Sequence, residues 1–173
     1  KEGMRGSLGM RGYGTNIVAG VTPGKGGQVV ESIPVFNTIK EAIAHAGMVG
    51  AVVQFVPPMH TKVATLEAIA SGVPLIHVGA ERVPMHDAIH MYQCAKKAGC
   101  IIIGPGSVGM IVPRFQFKLG MIGGAEPSRA FVPGNIAVLS KSGGMTSELG
   151  LMLKKSGLGV SVAIGVGGEK IIG

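Results

Sequence analysis

The sequence predicts an α/β protein built on a doubly wound parallel sheet, and three observations carry that prediction. Short β-branched runs alternate with longer segments of helical apolar spacing, and glycines and prolines stand singly at the ends of the apolar runs. Of the 173 residues, 46% are hydrophobic and only 14% charged, enough to bury a core and exclude disorder. The 30 glycines and 10 prolines follow no three-residue period, so collagen-like and low-complexity readings fail.

The first strand candidate is the run Asn16 to Val21, followed by Ala51 to Val56 and Leu75 to Val78. Each is short and largely apolar, as a strand covered on both faces must be. Cys100 to Ile103, Ile136 to Leu139 and Val160 to Ile164 continue the series, and between the strands apolar residues recur at helical spacing, as in Val63, Leu66 and Ile69. Right-handed crossovers place helices on both faces of such a sheet and the ligand outside the carboxyl ends of its strands. The loops expected there are Thr22–Gly27, Pro57–Met59, Gly79–Arg82, Gly104–Ser107 and Ser140–Gly144, all rich in glycine, proline or small polar residues.

Two places break the alternation. The chain opens on Lys1 and a glycine-rich segment, Glu2–Ser7, that reads as a phosphate loop entering a helix without the strand that should feed it. Between Arg114 and Pro133 strand and helix cease to alternate, which puts a boundary near Phe131. Residues 1–131 then form one domain, and residues 132–173 the beginning of a second, incomplete α/β domain.

Composition narrows the function. Sixteen Lys and Arg against nine Asp and Glu leave a net charge of +7, which favours an anionic ligand. The basic residues are scattered and aromatics make up only 4%, so a phosphorylated small molecule fits better than nucleic acid. No run approaches the ~18 apolar residues of a membrane helix and no signal peptide opens the chain, so no membrane partner is expected. The expected location is the cytoplasm, or the mitochondrial matrix in a eukaryote. Cys94 and Cys100 form no CxxC and read as reduced, half-buried thiols. His86 and His90 share the i, i+4 spacing of a zinc motif, but Asp87 stands beside His86 where that motif has glutamate, and no third ligand is apparent. They read as surface histidines, and no metal site is expected.

Two loops carry anion chemistry. Thr22–Gly27 offers Lys25 between glycines, with backbone amides free to approach a phosphate on a ribose, such as NADP and coenzyme A both carry; a solvent-exposed turn lysine fits the same residues. In Ser140–Gly144, which leads into a pattern helical from about Met145, Ser142 and bare amides stand at a helix N-terminus. A serine N-cap with turn glycines fits that segment equally.

Taken together, Tyr13–Gly27 closely resembles the coenzyme A-binding domain of the succinyl-CoA synthetase α subunit. The resemblance continues through Ile33–Thr38, Gly104-Pro105, Ser140–Gly143 and Gly165–Gly168, in the family's order, and covers essentially the whole chain. It implies a Rossmann-like CoA-binding domain followed by the start of a flavodoxin-like ligase domain. It also implies an acid–CoA ligase that forms a thioester while ATP or GTP, held with Mg2+ by a β subunit or domain of nucleotide-grasp fold, is split to the diphosphate and phosphate. In the family a histidine is phosphorylated, the phosphate passes to a carboxylate, and the CoA thiol displaces it. On this mapping Lys1, Glu2, Gly3 and Lys25 hold CoA phosphates, Val78, Gly79 and Ala80 line the path of CoA, and Ser142, Gly143 and Gly144 cradle the phosphohistidine. The catalytic histidine itself has no counterpart in this chain.

Departures from the family pattern bear on the acid. Succinate enzymes have Asn-Cys-Pro-Gly where this chain has Gly106–Gly109, Thr-Glu-Gly where it has Ala80-Glu81-Arg82, and a tyrosine where it has Ser147. The stretch Gly104–Gly120 and the segment Ser142–Leu149 are more similar to ATP-citrate lyase and citryl-CoA synthetase. Citrate is therefore an alternative to succinate, with Ser147 leaving room and Arg82 available to an additional carboxylate. A non-catalytic CoA-binding module and an NADP oxidoreductase on the same fold are the other readings.

Overall fold

The computed structural model describes residues 2–169. In chain order the elements are α1 (Glu2–Tyr13), β1 (Gly20–Val21), β2 (Val29–Val30), β3 (Ile33–Phe36), α2 (Ile39–Ala46), β4 (Val52–Gln54), α3 (Pro58–Ala70) and β5 (Leu75–Val78). They continue with α4 (Met85–Ala98), β6 (Ile101–Ile103), β7 (Gly109–Val112), β8 (Phe117–Gly120), β9 (Pro133–Ser140), α5 (Gly143–Lys155) and β10 (Val160–Gly165).

The mixed α/β architecture with parallel strands is as expected, but the strands are divided among three sheets. β4, β5 and β6 form a parallel sheet in that order, joined by α3 and α4 as crossovers. β1 pairs parallel with β3, which turns back on β2. The third sheet has the order β8-β7-β10-β9, with β9 and β10 parallel and β7 antiparallel to both β8 and β10.

Several local expectations change. Glu2–Ser7 is the opening of helix α1 and forms no phosphate loop, because Gly6 lets the helix lie against the ring of Phe55, which a Cβ there would overlap. The stretch from Arg114 to Pro133 contains β8, which the apolar pattern hides because Lys118 sits inside the strand with 2% of its surface exposed. Burial holds its ammonium below the ordinary lysine range, and the group donates to the carbonyls of Gly124 at 2.9 Å and Ile122 at 3.2 Å. Strands β7 and β10, which precede and follow Phe131, pair in one sheet, an arrangement that leaves the expected boundary near that residue as a matter of the proposal below. On α3 the buried face is Thr61, Thr65 and Ala68, whereas Val63 is exposed.

Two apolar cores result. One packs α3 and α4 on the β4–β6 sheet around Ile76, Val78, Met91 and Ile102; the other packs α5 on the third sheet around Ile111, Phe131, Val138 and Val160. Helix α1 packs on β8, and the Met10 sulfur accepts from the amide of Gly120 at 3.2 Å. Two helical glycines give opposite expectations. A Cβ at Gly12 meets nothing within 4 Å, whereas one at Gly150 would lie 2.7 Å from the Phe131 ring. Gly12→Ala should therefore raise unfolding free energy by about 0.5–1 kcal/mol. Gly150→Ala should lower it by about 1–3 kcal/mol, despite alanine's better helix propensity; chemical denaturation of both variants checks the pair.

Candidate functional site

The carboxyl ends of strands from two sheets converge. β5 runs into Gly79–Arg82, β6 into Gly104–Ser107, and β10 into Val166–Glu169. Ser107 joins them: its hydroxyl donates to the Gly165 carbonyl at 2.5 Å and accepts from the Gly109 amide at 2.9 Å, while its own amide donates to Val78 O at 3.3 Å. The Gly106 amide donates to Ala80 O at 2.8 Å, and the Arg82 amide donates to the Glu169 carboxylate at 3.2 Å. Val108 then fills the space over Gly165 and over Gly143 at the start of α5, where a Cβ would stand 2.9 Å from it. The loop after β5 and the N-terminus of α5 are thereby held to one junction.

His77 lies beneath this junction with 1% of its surface exposed. Its Nε2 is 3.0 Å from the Ser107 carbonyl, which can only accept, so Nε2 carries the proton and Nδ1 is bare. Nδ1 has no partner among the described residues. Desolvation of the charged form lowers the imidazole from its ordinary 6.5 to about 4, opposed in part by the Ser107 hydrogen bond.

The Lys25 turn is built from β1 and β3 and latched by Asn37. Asn37 Oδ1 accepts from the amides of Gly24 at 2.9 Å and Gly26 at 3.0 Å. The amides of Thr22, Lys25 and Gly27 donate to the carbonyls of Phe36, Thr22 and Val35. Every amide from Thr22 to Gly27 is thus occupied, Pro23 having none, which corrects the expectation of free amides. What the turn presents is the exposed Lys25 side chain, with open space over Gly24 and Gly27. Asn37 is itself fixed by the start of α2: its amide donates to Glu41, Thr38 caps the Glu41 amide, and Glu67 of α3 accepts from Ile39 N. Sequence reading missed the latch because the partners are 11 and 13 residues apart, although Asn37 stood within a quoted motif.

Helix α5 begins at Gly143, two residues earlier than its apolar pattern predicts. Ser142 is the N-cap, its Oγ accepting from Met145 N at 3.4 Å, and the turn is closed by the Ser142 amide donating to Ser140 Oγ at 3.2 Å. The amides of Gly143 and Gly144, at the first two helical positions, precede the first intrahelical bond and remain available to an anion. The N-cap reading of Ser142 is thus met, and the cap leaves these two amides without a partner among the described residues. Ser147, one turn on, is half-buried and donates to Gly143 O at 3.4 Å.

The remaining expectations are placed as follows. Gly79 and Ala80 are half-buried on the loop, but Val78 belongs to the core with none of its surface exposed, so its side chain lines no path. Glu2 and Gly3 are in the first turn of α1, Gly3 facing Phe55 just beyond β4, and Lys1 lies outside the described residues. His86 and His90 are exposed on α4, with Asp87 paired to Lys62 of α3 at 2.8 Å. Cys94 and Cys100 are free and half-buried. Among the described residues no cluster suited to a metal ion occurs and no helix is long and apolar enough to cross a membrane.

The burial of His77 has a consequence for stability. Between pH 6.5 and about 4 the unfolded chain takes up a proton on this imidazole that the folded chain refuses. Stability present above pH 6.5 should decline as pH falls toward 4, by about 3 kcal/mol from this group. Denaturant titrations of the wild type and His77→Gln across this range should differ by that slope.

Comparison with known proteins gives these loops a context. Residues 1–81 match the CoA binding domain family. The chain is 42% identical over 164 residues to subunit alpha 2 of the ADP-forming succinate–CoA ligase of Archaeoglobus fulgidus, covering 95% of this chain and 55% of that protein. It is 38% identical over 162 residues to a subunit of the ADP-forming sulfoacetate–CoA ligase of an Acholeplasma species, covering 92% and 53%. The chain spans about half the length of the curated relatives it matches. Among solved structures, the ATP citrate lyase of Methanothrix soehngenii in complex with citrate and coenzyme A matches with a TM-score of 0.74 at 25% identity, over 80% of this chain and 23% of that one. The dinucleotide-forming acetyl-coenzyme A synthetase 1 of Ca. Korarchaeum cryptofilum shares the fold, with a TM-score of 0.76 at 16% identity over 96% and 35% of the two chains. The chain is thus similar, over most of its own length, to the α subunits of succinate–CoA ligases, and its first 81 residues match the CoA binding domain family.

Proposed function

We propose that this chain is the CoA-binding portion of the α subunit of a cytoplasmic acid–CoA ligase of the succinate–CoA ligase type. In this reading the complete enzyme joins a small carboxylic acid to CoA as ATP or GTP is split, through a phosphohistidine. The observation that carries the proposal is the junction at Ser107 and Val108, which holds the loop after β5 and the N-terminus of α5 together in a chain whose residues 1–81 match the CoA binding domain family.

The residues fit CoA. Lys25 makes no ion pair among the described residues, and its ammonium stands on a turn with open space around it, suited to the phosphate on the ribose. Because the amides of that turn are spent on Asn37 and the backbone, recognition there falls to the lysine charge alone. Lys1, Glu2 and Gly3 belong to the proposed phosphate contacts by the family resemblance, and Gly79 and Ala80 offer a backbone that a narrow pantetheine arm can pass. CoA supplies the thiol that takes the acyl group. Ser142, Gly143 and Gly144 offer two amides, a hydroxyl and the positive end of α5 to a phosphoryl group. None of this chain's five histidines serves as the phosphorylated residue: His45, His60, His86 and His90 lie on helices facing solvent, and His77 is buried. The nucleotide, its Mg2+ and the phosphorylated histidine belong, in this reading, to other parts of the α subunit and to a β partner of nucleotide-grasp fold. A division of the α subunit near Phe131 into a CoA domain and a ligase domain is part of the proposal.

Calorimetric titration with CoA, with NADP as the control, tests it. The expected result is binding of CoA and none of NADP; the reverse would move the protein to the oxidoreductases. Lys25→Ala should weaken CoA by about 1.5–3 kcal/mol, the range for a hydrogen bond to a charged group, and leave dephospho-CoA almost unchanged.

A further inference from the structure

The Lys25 turn contributes no side chain to either core: every residue from Thr22 to Gln28 is exposed, and β1, which leads into it, is two residues long. Its ends are tied to β3 through the amides of Thr22 and Gly27. Between those ends the amides of Gly24 and Gly26 share one acceptor, Asn37 Oδ1, and a Cβ at Gly26 would overlap the Asn37 carboxamide. Asn37 is itself exposed, and its amide donates to Glu41 Oε2 at 3.0 Å, on another exposed side chain. The first buried residue on this path is Ile39, which packs in the same core as Ala68 of α3. Its amide donates to Glu67 Oε1 at 2.8 Å, from a residue 28 positions away on α3.

We infer that Glu67 is a positioning residue for Lys25, acting from α3 through the start of α2 and Asn37. This rests on the reading of Lys25 as the contact to the phosphate on the ribose of CoA. Helix α2 has only eight residues and buries two of them, Ile39 and Ala42, so packing alone holds its first turn weakly. The half-buried Glu67 carboxylate fixes that turn to α3 by accepting from its first amide, where the positive end of the helix favours an anion. Thr38 and Glu41 complete the start of the helix: the Thr38 hydroxyl accepts from the Glu41 amide at 3.2 Å, and Glu41 holds Asn37. A carboxylate that only capped α2 would stabilise the fold and leave a ligand indifferent. Here Asn37, two residues ahead of the amide that Glu67 holds, is also the residue that fixes the middle of the lysine turn. Displacing the start of α2 therefore displaces Gly24, Lys25 and Gly26 with it.

Calorimetry with CoA and dephospho-CoA on Glu67→Ala, Glu67→Gln and Asn37→Ala tests this, together with NMR measurement of amide exchange at Gly24 and Gly26 in the unliganded chain. Glu67→Ala should raise the Kd for CoA about threefold to tenfold, as for the loss of one hydrogen bond, and leave dephospho-CoA within about twofold. Retained dephospho-CoA binding also reports that the variant is folded. Glu67→Gln, which keeps an acceptor for the Ile39 amide, should restore CoA binding. Asn37→Ala should behave as Glu67→Ala does, and the double variant should bind CoA no more weakly than Asn37→Ala alone, because both act along one path. Exchange at Gly24 and Gly26 should quicken in Glu67→Ala. Unchanged CoA binding in Glu67→Ala, an equal loss of dephospho-CoA, or losses that multiply in the double variant would overturn the assignment. Absence of CoA binding by the wild type would instead overturn the ligase reading. Amide exchange then decides for Glu67, and equal protection of Gly24 and Gly26 in wild type and Glu67→Ala would sink it.

Discussion

The Ser107 hydroxyl is the point at which two separately packed cores become one working surface. It donates to the last residue of β10, accepts from the first residue of β7, and its peptide is held by Val78 and His77 of β5. A glycine-rich chain with short strands needs such a fixed point, because loops of Gly, Pro and Ser carry little packing of their own. The contact is buried, so losing the hydroxyl would strand the Gly165 carbonyl and the Gly109 amide at once. The neighbouring Val108 does the steric half of the task, and Gly143 and Gly165 are glycines because a side chain at either would collide with it.

Charge is distributed to match. The +7 of the chain does not gather in one patch: Lys118 is sunk beneath β8, where carbonyls of the 122–124 turn replace its water, and Lys62 is paired with Asp87. Lys25 and Arg82 stand apart from these, each on a loop that follows a strand end, and each unpaired among the described residues.

Much of this was legible in the residues. Leu75 to Val78, set between Pro74 and Gly79, and Ile136 to Leu139, set between Asn135 and Ser140, declared their strands because short, largely apolar runs bounded by turn-forming residues have few alternatives. The Ser142 cap was legible chemically, since a serine followed by glycines before an apolar helical pattern is a common helix start. Strand β8 was not, because its interior lysine is stabilised by carbonyls that only the folded chain brings near. Nor was helix α1, whose glycines look like a loop until Phe55 supplies the reason for Gly6. The division of strands among three sheets and the antiparallel entry of β7 depend on pairings across more than fifty residues, which local pattern does not encode.

The Asn37 latch has a thermodynamic meaning beyond geometry. A glycine-rich turn left to itself would sample many conformations, and a ligand would have to freeze them before gaining any contact. Here folding has already done so: one amide oxygen, itself anchored through Thr38, Glu41 and Glu67, holds two of the turn's N–H groups. In the proposed reading Lys25 is therefore offered on a preorganised backbone, and the entropy of ordering that turn is met by the folding of α2 and α3, before any ligand arrives.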